Sequence, residues 1–341
     1  MVRFGISRTR LTSALGLALG TLLLTVAACG GNSAATGTTK TYRIAVVLPT
    51  ISINILHDVY QGTLDEAKKI GHIQIAEAAD LDTTAFLNDC QRLISEHVDA
   101  LLYDSIDASG HVPCIQQAKT AGIKVVCLVA CVNGHLDDAT VTIDAVNDGK
   151  LQGGYVAKTI GSGEVGFLEG APGDTFGLDI GKGFREAIAG CSGCKMVADV
   201  PGGVDRNTAY TTSLQVLTAH PNIKAIVGSN DDVGLGIVKG VQQQGKLGQV
   251  LSLGHGGSCS GLQSILQNQL SFTVVIPGHA TGVAGIDAAW KLINKQSVPS
   301  TKYIQAVGLD TKMANAILDG SQPNPPGIDL KAGLQQAKKG C

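Results

Sequence analysis

From Tyr42 onward the chain alternates short, almost continuously apolar runs with longer segments whose apolar residues recur every three or four positions. Runs such as Arg43-Ile-Ala-Val-Val-Leu48 and Ala225-Ile-Val-Gly228 carry apolar side chains on both faces, as a strand covered on two sides requires. They predict strands over 43–48, 72–76, 100–103, 124–128, 139–143, 164–168, 194–200, 225–228, 249–253, 271–276 and 303–306. The intervening spacing predicts helices over 55–70, 83–96, 112–121, 148–160, 176–189, 207–219, 233–244 and 281–294. Strand and helix alternating over this length predict an α/β protein whose parallel sheets are sandwiched by helices.

Residues 1–41 break the rhythm. Arg3, Arg8 and Arg10 accompany an apolar run from Leu11 to Thr25 that ends in Val26-Ala27-Ala28-Cys29. This resembles a bacterial lipoprotein signal, in which a basic start and an apolar middle lead to small residues and a cysteine that receives the lipid. The alternative, an uncleaved membrane helix, fits less well. The run is short for a span of ~20 residues and is interrupted by Gly16 and Gly20. Residues 1–28 are thus expected to be removed, Cys29 to carry the lipid, and the small, polar stretch 29–41 to serve as a tether. The chain is expected at the outer face of the cell membrane or in the periplasm, anchored to the membrane through Cys29.

Even without residues 1–28 the chain exceeds the roughly 250–300 residues at which one core stops growing, so two domains are expected. The net charge is −2 and no block of like charge follows the signal, which leaves no electrostatic footprint for nucleic acid. Neither Gly161-Ser-Gly163 nor Gly254-His-Gly-Gly257 fits a nucleotide-binding loop, and no cofactor is expected. Cys90, Cys114, Cys127, Cys131, Cys191, Cys194, Cys259 and Cys341 form an even set suited to an oxidising compartment. Cys191 and Cys194 read as a local disulfide. Cys127 and Cys131, on a strand and its exit, would stand roughly 13 Å apart if extended and are expected not to pair unless the chain turns. Cys90 with Cys114 and Cys259 with Cys341 are pairings that the sequence suggests without fixing.

Several stretches together resemble one family. They are Arg43-Ile-Ala-Val-Val-Leu-Pro49 with Asn54 and Gly62, Gly181-Lys-Gly-Phe184, Leu217-Thr-Ala-His-Pro-Asn222, and Gly228-Ser-Asn-Asp-Asp232 leading into Gly234-Leu-Gly236. From Tyr42 to about Leu309 the chain resembles the ribose-type periplasmic sugar-binding proteins, the solute receptors of ABC importers. The resemblance implies a type I periplasmic binding fold, with two similar lobes joined by a three-crossing hinge and ligand enclosed between them. Carried over, one lobe comprises 42–145 plus 277–305, and the other 146–276 plus 306–341. Repressors of the lactose type share these lobes but begin with a DNA-reading helix pair, which the signal and tether replace here.

In an open parallel sheet, ligands meet the carboxyl ends of strands, where helix N-termini offer free N–H groups. That rule and the resemblance select Thr50, Asn54, His57, Asp104, Phe176, Asp205, Asn230 and His255 as ligand-facing, with Leu56 and Val129 as apolar walls. Asp231 and Asp232 read as caps of the helix after Asn230. The resemblance also implies anchors that are missing. Val129-Ala130-Cys131 stands where the family places an Asp-Arg pair, Leu178 where it often has an arginine, His255 where it has an aspartate, and Ile276 near its glutamine. Leu56 and His57 occupy the place of its phenylalanines. A pocket so rebuilt points to a sugar-like but less hydroxylated or more apolar solute. His57, His255 and His279 come from separate elements and do not read as a metal site.

The sequence therefore reads as a non-catalytic, monomeric, lipid-anchored receptor that closes on a small solute and presents it to an ABC permease. Two alternatives stand beside it. One is a sensory protein that hands its closed form to a receptor; the other is an exported enzyme with His255 as base, oriented by a carboxylate such as Asp104.

Overall fold

The computed structural model describes residues 40–51, 54–79, 83–105, 107–170 and 175–341. The signal 1–28, Cys29 and most of the tether 29–41 lie outside the described residues. Lys40, at the tether's end, is held by Asp99 at 3.0 Å and sits over the Tyr42 ring.

Twelve strands and eleven helices alternate along the described chain. The first sheet contains β1 (Tyr42–Leu48), β2 (Ile73–Ala79), β3 (Ala100–Tyr103), β4 (Lys124–Leu128), β5 (Ala139–Ile143) and β11 (Thr301–Ile304), in the order β11-β5-β4-β3-β1-β2. The second contains β6 (Gly163–Glu169), β7 (Cys194–Pro201), β8 (Ile223–Gly228), β9 (Leu251–Gly256), β10 (Phe272–Val275) and β12 (Val307–Leu309), in the order β12-β10-β9-β8-β6-β7. All pairings are parallel except that of β10 with β12. The helices are α1 (Asn54–Ile70), α2 (Thr83–Ser95), α3 (Val112–Thr120), α4 (Ala145–Ile160), α5 (Thr175–Ala189), α6 (Arg206–Ala219), α7 (Asp231–Gln243), α8 (Cys259–Leu266), α9 (Gly278–Ile293), α10 (Thr311–Asp319) and α11 (Leu330–Lys339).

Strand periodicity explains how each sheet is covered. In β1, Ala45 and Val47 face a core completed by Phe86 and Leu93 of α2 and Ile115 of α3, while Ile44, Val46 and Leu48 face Val59 of α1 and Ile286 of α9. The second sheet repeats the scheme. Val165, Phe167 and Leu253 pack under Ile180 and Phe184 of α5, and Leu168 and Ile226 pack under Leu217 of α6 and Ile237 of α7. The chain passes from the first sheet to the second after β5, returns between β10 and β11, and passes again between β11 and β12.

Glycines set the closest helix crossing on each sheet. Gly62 and Gly282 place α1 against α9 with backbone on backbone, opposite the carbonyls of His279 and Val59. Gly149 and Gly183 do the same for α4 and α5, opposite the carbonyls of Ile180 and Val146.

Some expectations need correction. The strand expected at 303–306 is two strands, β11 ending at Ile304 and β12 starting at Val307, one in each sheet. Helices α8, α10 and α11 were not expected from the spacing, because each is short and buries only two to four residues. Trp290 of α9 packs edge-on against Tyr42 of β1, with centroids 5.2 Å apart. Cys127 and Cys131 lie at disulfide distance with Cα atoms 5.5 Å apart, contrary to the extended reading. Val129 between them takes φ = 63°, and that left-handed residue reverses the chain. Cys90 and Cys114, Cys191 and Cys194, and Cys259 and Cys341 also stand at disulfide distance.

Candidate functional site

The candidate residues divide between the carboxyl ends of the two sheets. On the first, Thr50 follows β1 and is half-buried, Asn54 opens α1, and His57 lies exposed on that helix. Leu56, expected as a wall, is buried at 7 % exposure. Asp104 directly follows β3 and is buried. Its backbone N–H donates to the Val47 carbonyl at 3.0 Å, and its Oδ1 accepts from the Ala130 N–H at 3.0 Å. Asp104 thus ties the end of β3 to the end of β1 through its backbone and to the turn after β4 through its carboxylate. Beneath it the Ser105 hydroxyl and His111 Nδ1 are 2.9 Å apart, and the His111 ring stacks on Phe86.

Burial pushes the Asp104 carboxyl up to about 7, against the two backbone N–H bonds that favour the ion. The folded state therefore holds this proton where an unfolded aspartate has lost it, so stability should fall as pH rises from about 4 to about 7 and then level off. Asp104→Asn keeps the acceptor for Ala130 and removes the titration. It should flatten that slope, worth on the order of 2 kcal/mol after local relaxation. Melting temperatures of both proteins from pH 4 to 8 test this, and parallel profiles would refute it.

The second sheet gathers more. His255, near the end of β9, is 2 % exposed, and its Nε2 lies 2.9 Å from Oδ2 of Asp148 in the first turn of α4, itself 1 % exposed. Phe176, in the first turn of α5, sets its ring edge-on to the imidazole at 5.6 Å and 64°. One turn beyond Asp148, Gln152 donates to the carbonyls of Gly228 and Gly254 at 3.1 and 2.8 Å, which fastens α4 to the ends of β8 and β9. Asn230 follows β8 and caps α7, its Oδ1 accepting from the Val233 N–H at 2.8 Å. The carboxamide nitrogen is then the group Asn230 can offer a ligand.

The expected roles of Asp231 and Asp232 change. The cap is Asn230, whereas Asp231 is buried and accepts from the Thr273 hydroxyl and the Ser258 N–H, both at 2.6 Å. Burial holds its carboxyl above the ordinary range, opposed by those bonds. Asp232 pairs at the surface with Arg206. Asp205 caps α6, accepting from the Asn207 and Thr208 N–H groups and the Thr208 hydroxyl at 2.9, 3.1 and 2.7 Å. The Thr208 bonds hold its carboxyl below the usual range.

Asp148 and Gln152 escaped the sequence reading. The spacing starts the helix at Asp148, whereas it begins at Ala145 under the cap Asp144. The signal was their i, i+4 spacing, which puts both on one helix face. The carboxylate that orients His255 is therefore Asp148, not Asp104, which belongs to the other sheet. The other histidines sit elsewhere, with His279 of α9 on Asp65 of α1 at 3.0 Å. Among the described residues, Cys127, Cys131 and Asp137 are the group close enough to share a metal ion, yet the two sulfurs stand at bonding distance from each other. A depression of about 350 Å³ lined by Lys40, Tyr42, His97, Asp99 and Lys124 lies at the amino ends of the first sheet's strands, opposite Asp104. No described helix is long and apolar enough to cross a membrane.

Two largely parallel, helix-covered sheets with three chain crossings between them agree with the comparisons. The profile of the periplasmic binding protein domain matches residues 44–297. The ribose import binding protein RbsB of Bacillus subtilis (strain 168) is 27% identical over 266 residues, covering 78% of this chain and 86% of that protein. The D-allose-binding periplasmic protein of Escherichia coli (strain K12) is 28% identical over 280 residues, covering 77% and 90%. A crystal structure of an ABC transporter periplasmic solute-binding protein from Actinobacillus succinogenes 130z with bound D-allose superposes with a TM-score of 0.73 at 27% identity, covering 80% of this chain and 98% of that one. With its profile matched over more than half the chain, and with the two-sheet, three-crossing architecture of the type I fold, the protein belongs to the periplasmic binding protein family.

Proposed function

We propose that the protein is the lipid-anchored solute receptor of an ABC importer, closing two lobes, 42–145 plus 277–305 and 146–276 plus 306–341, around a neutral, sugar-like solute. The observation that carries this reading is the gathering of Phe176, Asn230 and His255 at the carboxyl end of the second sheet, with Asp104 at the same end of the first. An aromatic edge, an amide donor, an imidazole and a buried carboxyl suit a solute with a few hydroxyls and an apolar face. Closure brings the two sets onto one ligand and presents the closed form to the permease. Lipid on Cys29 and the tether 29–41 keep the receptor at the membrane. The four cysteine pairs are closed as disulfides in that oxidising setting. Thr50, Asn54 and His57 contribute from the rim of the first lobe, whereas Asp205 serves its helix cap.

The test is a thermal-shift panel on the purified protein with ribose, allose, xylitol, inositol and less hydroxylated analogues. A bound solute at 100 times its Kd should add about 2.7 kcal/mol. A shift with any of them supports the receptor reading; conversion of the solute during the assay would favour an enzyme. No shift across the panel would overturn the proposed ligand class.

A further inference from the structure

His255 has two ring nitrogens, and the structure commits one of them. Nε2 lies 2.9 Å from Asp148 Oδ2, in a site where both residues are almost wholly buried. A carboxylate only accepts, so in a neutral imidazole this hydrogen bond places the ring proton on Nε2 and leaves Nδ1 as the acceptor. Any hydrogen bond between that imidazole and a solute therefore passes through Nδ1. The Asp148 end of the pair is itself held. Its helix is capped by Asp144 and fastened one turn later by Gln152 to the Gly228 and Gly254 carbonyls, the latter adjoining His255. The ring is confined on another side by the Phe176 edge.

We propose that Asp148 is a positioning residue that fixes the tautomer of His255 and makes the site select solutes that donate a hydroxyl proton to Nδ1. This rests on the receptor reading above. The division of labour follows directly. Asn230, whose oxygen already accepts from the Val233 N–H, offers its carboxamide N–H groups, and His255 offers an acceptor, so the pair suits a solute that presents one acceptor and one donor to the second sheet. A hydroxyl can act as either. An O-methyl group cannot donate, and a deoxy carbon can do neither, so replacing the hydroxyl at the His255 position should be disproportionately costly.

The experiment uses the full chain, detergent-solubilised and labelled with 15N-histidine. Two-bond nitrogen–proton correlations read the His255 tautomer without ligand, and titrations with ribose, allose, xylitol and the O-methyl and deoxy analogues of whichever binds read affinity. The wild-type ring should carry its proton on Nε2. Asp148→Asn, nearly isosteric, should shift the tautomer balance and weaken binding about tenfold while the melting profile stays cooperative. The single O-methyl analogue that removes the donor at Nδ1 should lose affinity against wild type and lose much less against Asp148→Asn. A wild-type ring protonated on Nδ1, or an Asp148→Asn protein that binds as well as wild type, would overturn this inference and leave the receptor reading standing. A wild-type protein with the Nε2 proton in place that binds none of the three solutes would overturn the receptor reading, and this inference with it. Should Asp148→Asn fail to fold, the wild-type tautomer and the analogue series decide alone.

Discussion

Gly149→Ala is expected to destabilise the protein by about 3 kcal/mol, although alanine is the better helix former by about 1 kcal/mol. The new methyl would fall on the Ile180 carbonyl and crowd the Phe184 N–H, and both are backbone atoms of α5 that cannot swing aside. The helices must then separate, which opens gaps around Ile180 and Phe184, both 0 % exposed. Gly282→Ala should behave alike on the other sheet, where the obstacle is the Val59 carbonyl of α1. The internal control is Gly154→Ala. That residue lies on the same helix as Gly149 with nothing within 4 Å of the new methyl, so the change should be neutral or stabilising by up to about 1 kcal/mol. Urea midpoints at constant slope measure all three. Equal effects at Gly149 and Gly154 would show that helix packing does not depend on these contacts.

Cys259→Ser with Cys341→Ser should cost about 4 kcal/mol, the larger share of any cysteine contribution. The pair closes a stretch with a sequence separation of 82 residues, and the chain-entropy account makes the loss grow with loop length. The same account gives only about 1.5 kcal/mol for Cys191 with Cys194, three residues apart. The effect should begin locally. Helix α11 buries Leu330, Leu334 and Ala337 in a small core with Leu262 and Ile265 of α8, and the pair at Cys341 is its last tie. In the double variant, α11 amides should exchange ahead of the rest of the chain. Retained protection of α11 and an unchanged midpoint would show that apolar packing alone holds it.

Most of the architecture was legible because burial on two faces forces a simple pattern. β1, β3, β4 and β8 are runs of Val, Ile, Leu and Ala that no exposed segment would carry, and they were placed to within a few residues. Elements whose stability comes from distant partners were not legible. β12 is three residues that read as strand only because β10 pairs with it antiparallel, and α11 is a mostly polar helix that depends on α8 and Cys259. The site divides in the same way. Strand carboxyl ends can be read from the sequence, so the placing of Asp104, Asn230 and His255 at or just after such ends was legible. Asp148 lies on a helix 107 residues before its partner, and no local signal announces that the two meet.

The sequence by itself determined the alternation that makes two helix-covered parallel sheets, and the positions where polar side chains follow their strands. Those properties are local, set by side-chain period and by the chemistry of strand ends and helix starts. The tertiary structure alone decided which distant groups those side chains meet. Asp205 and Asn230 look alike in sequence, each following a strand and preceding a helix. Both serve as local caps, Asp205 through both carboxylate oxygens and Asn230 through its one oxygen, and the tertiary structure adds the long-range partners. It likewise brought Val129 into a left-handed turn that sets Cys127 beside Cys131, and Asp148 under His255. Hydrogen-bond partners at long sequence separation are fixed by how whole elements pack, and that packing is a property of the folded chain and not of any segment of it.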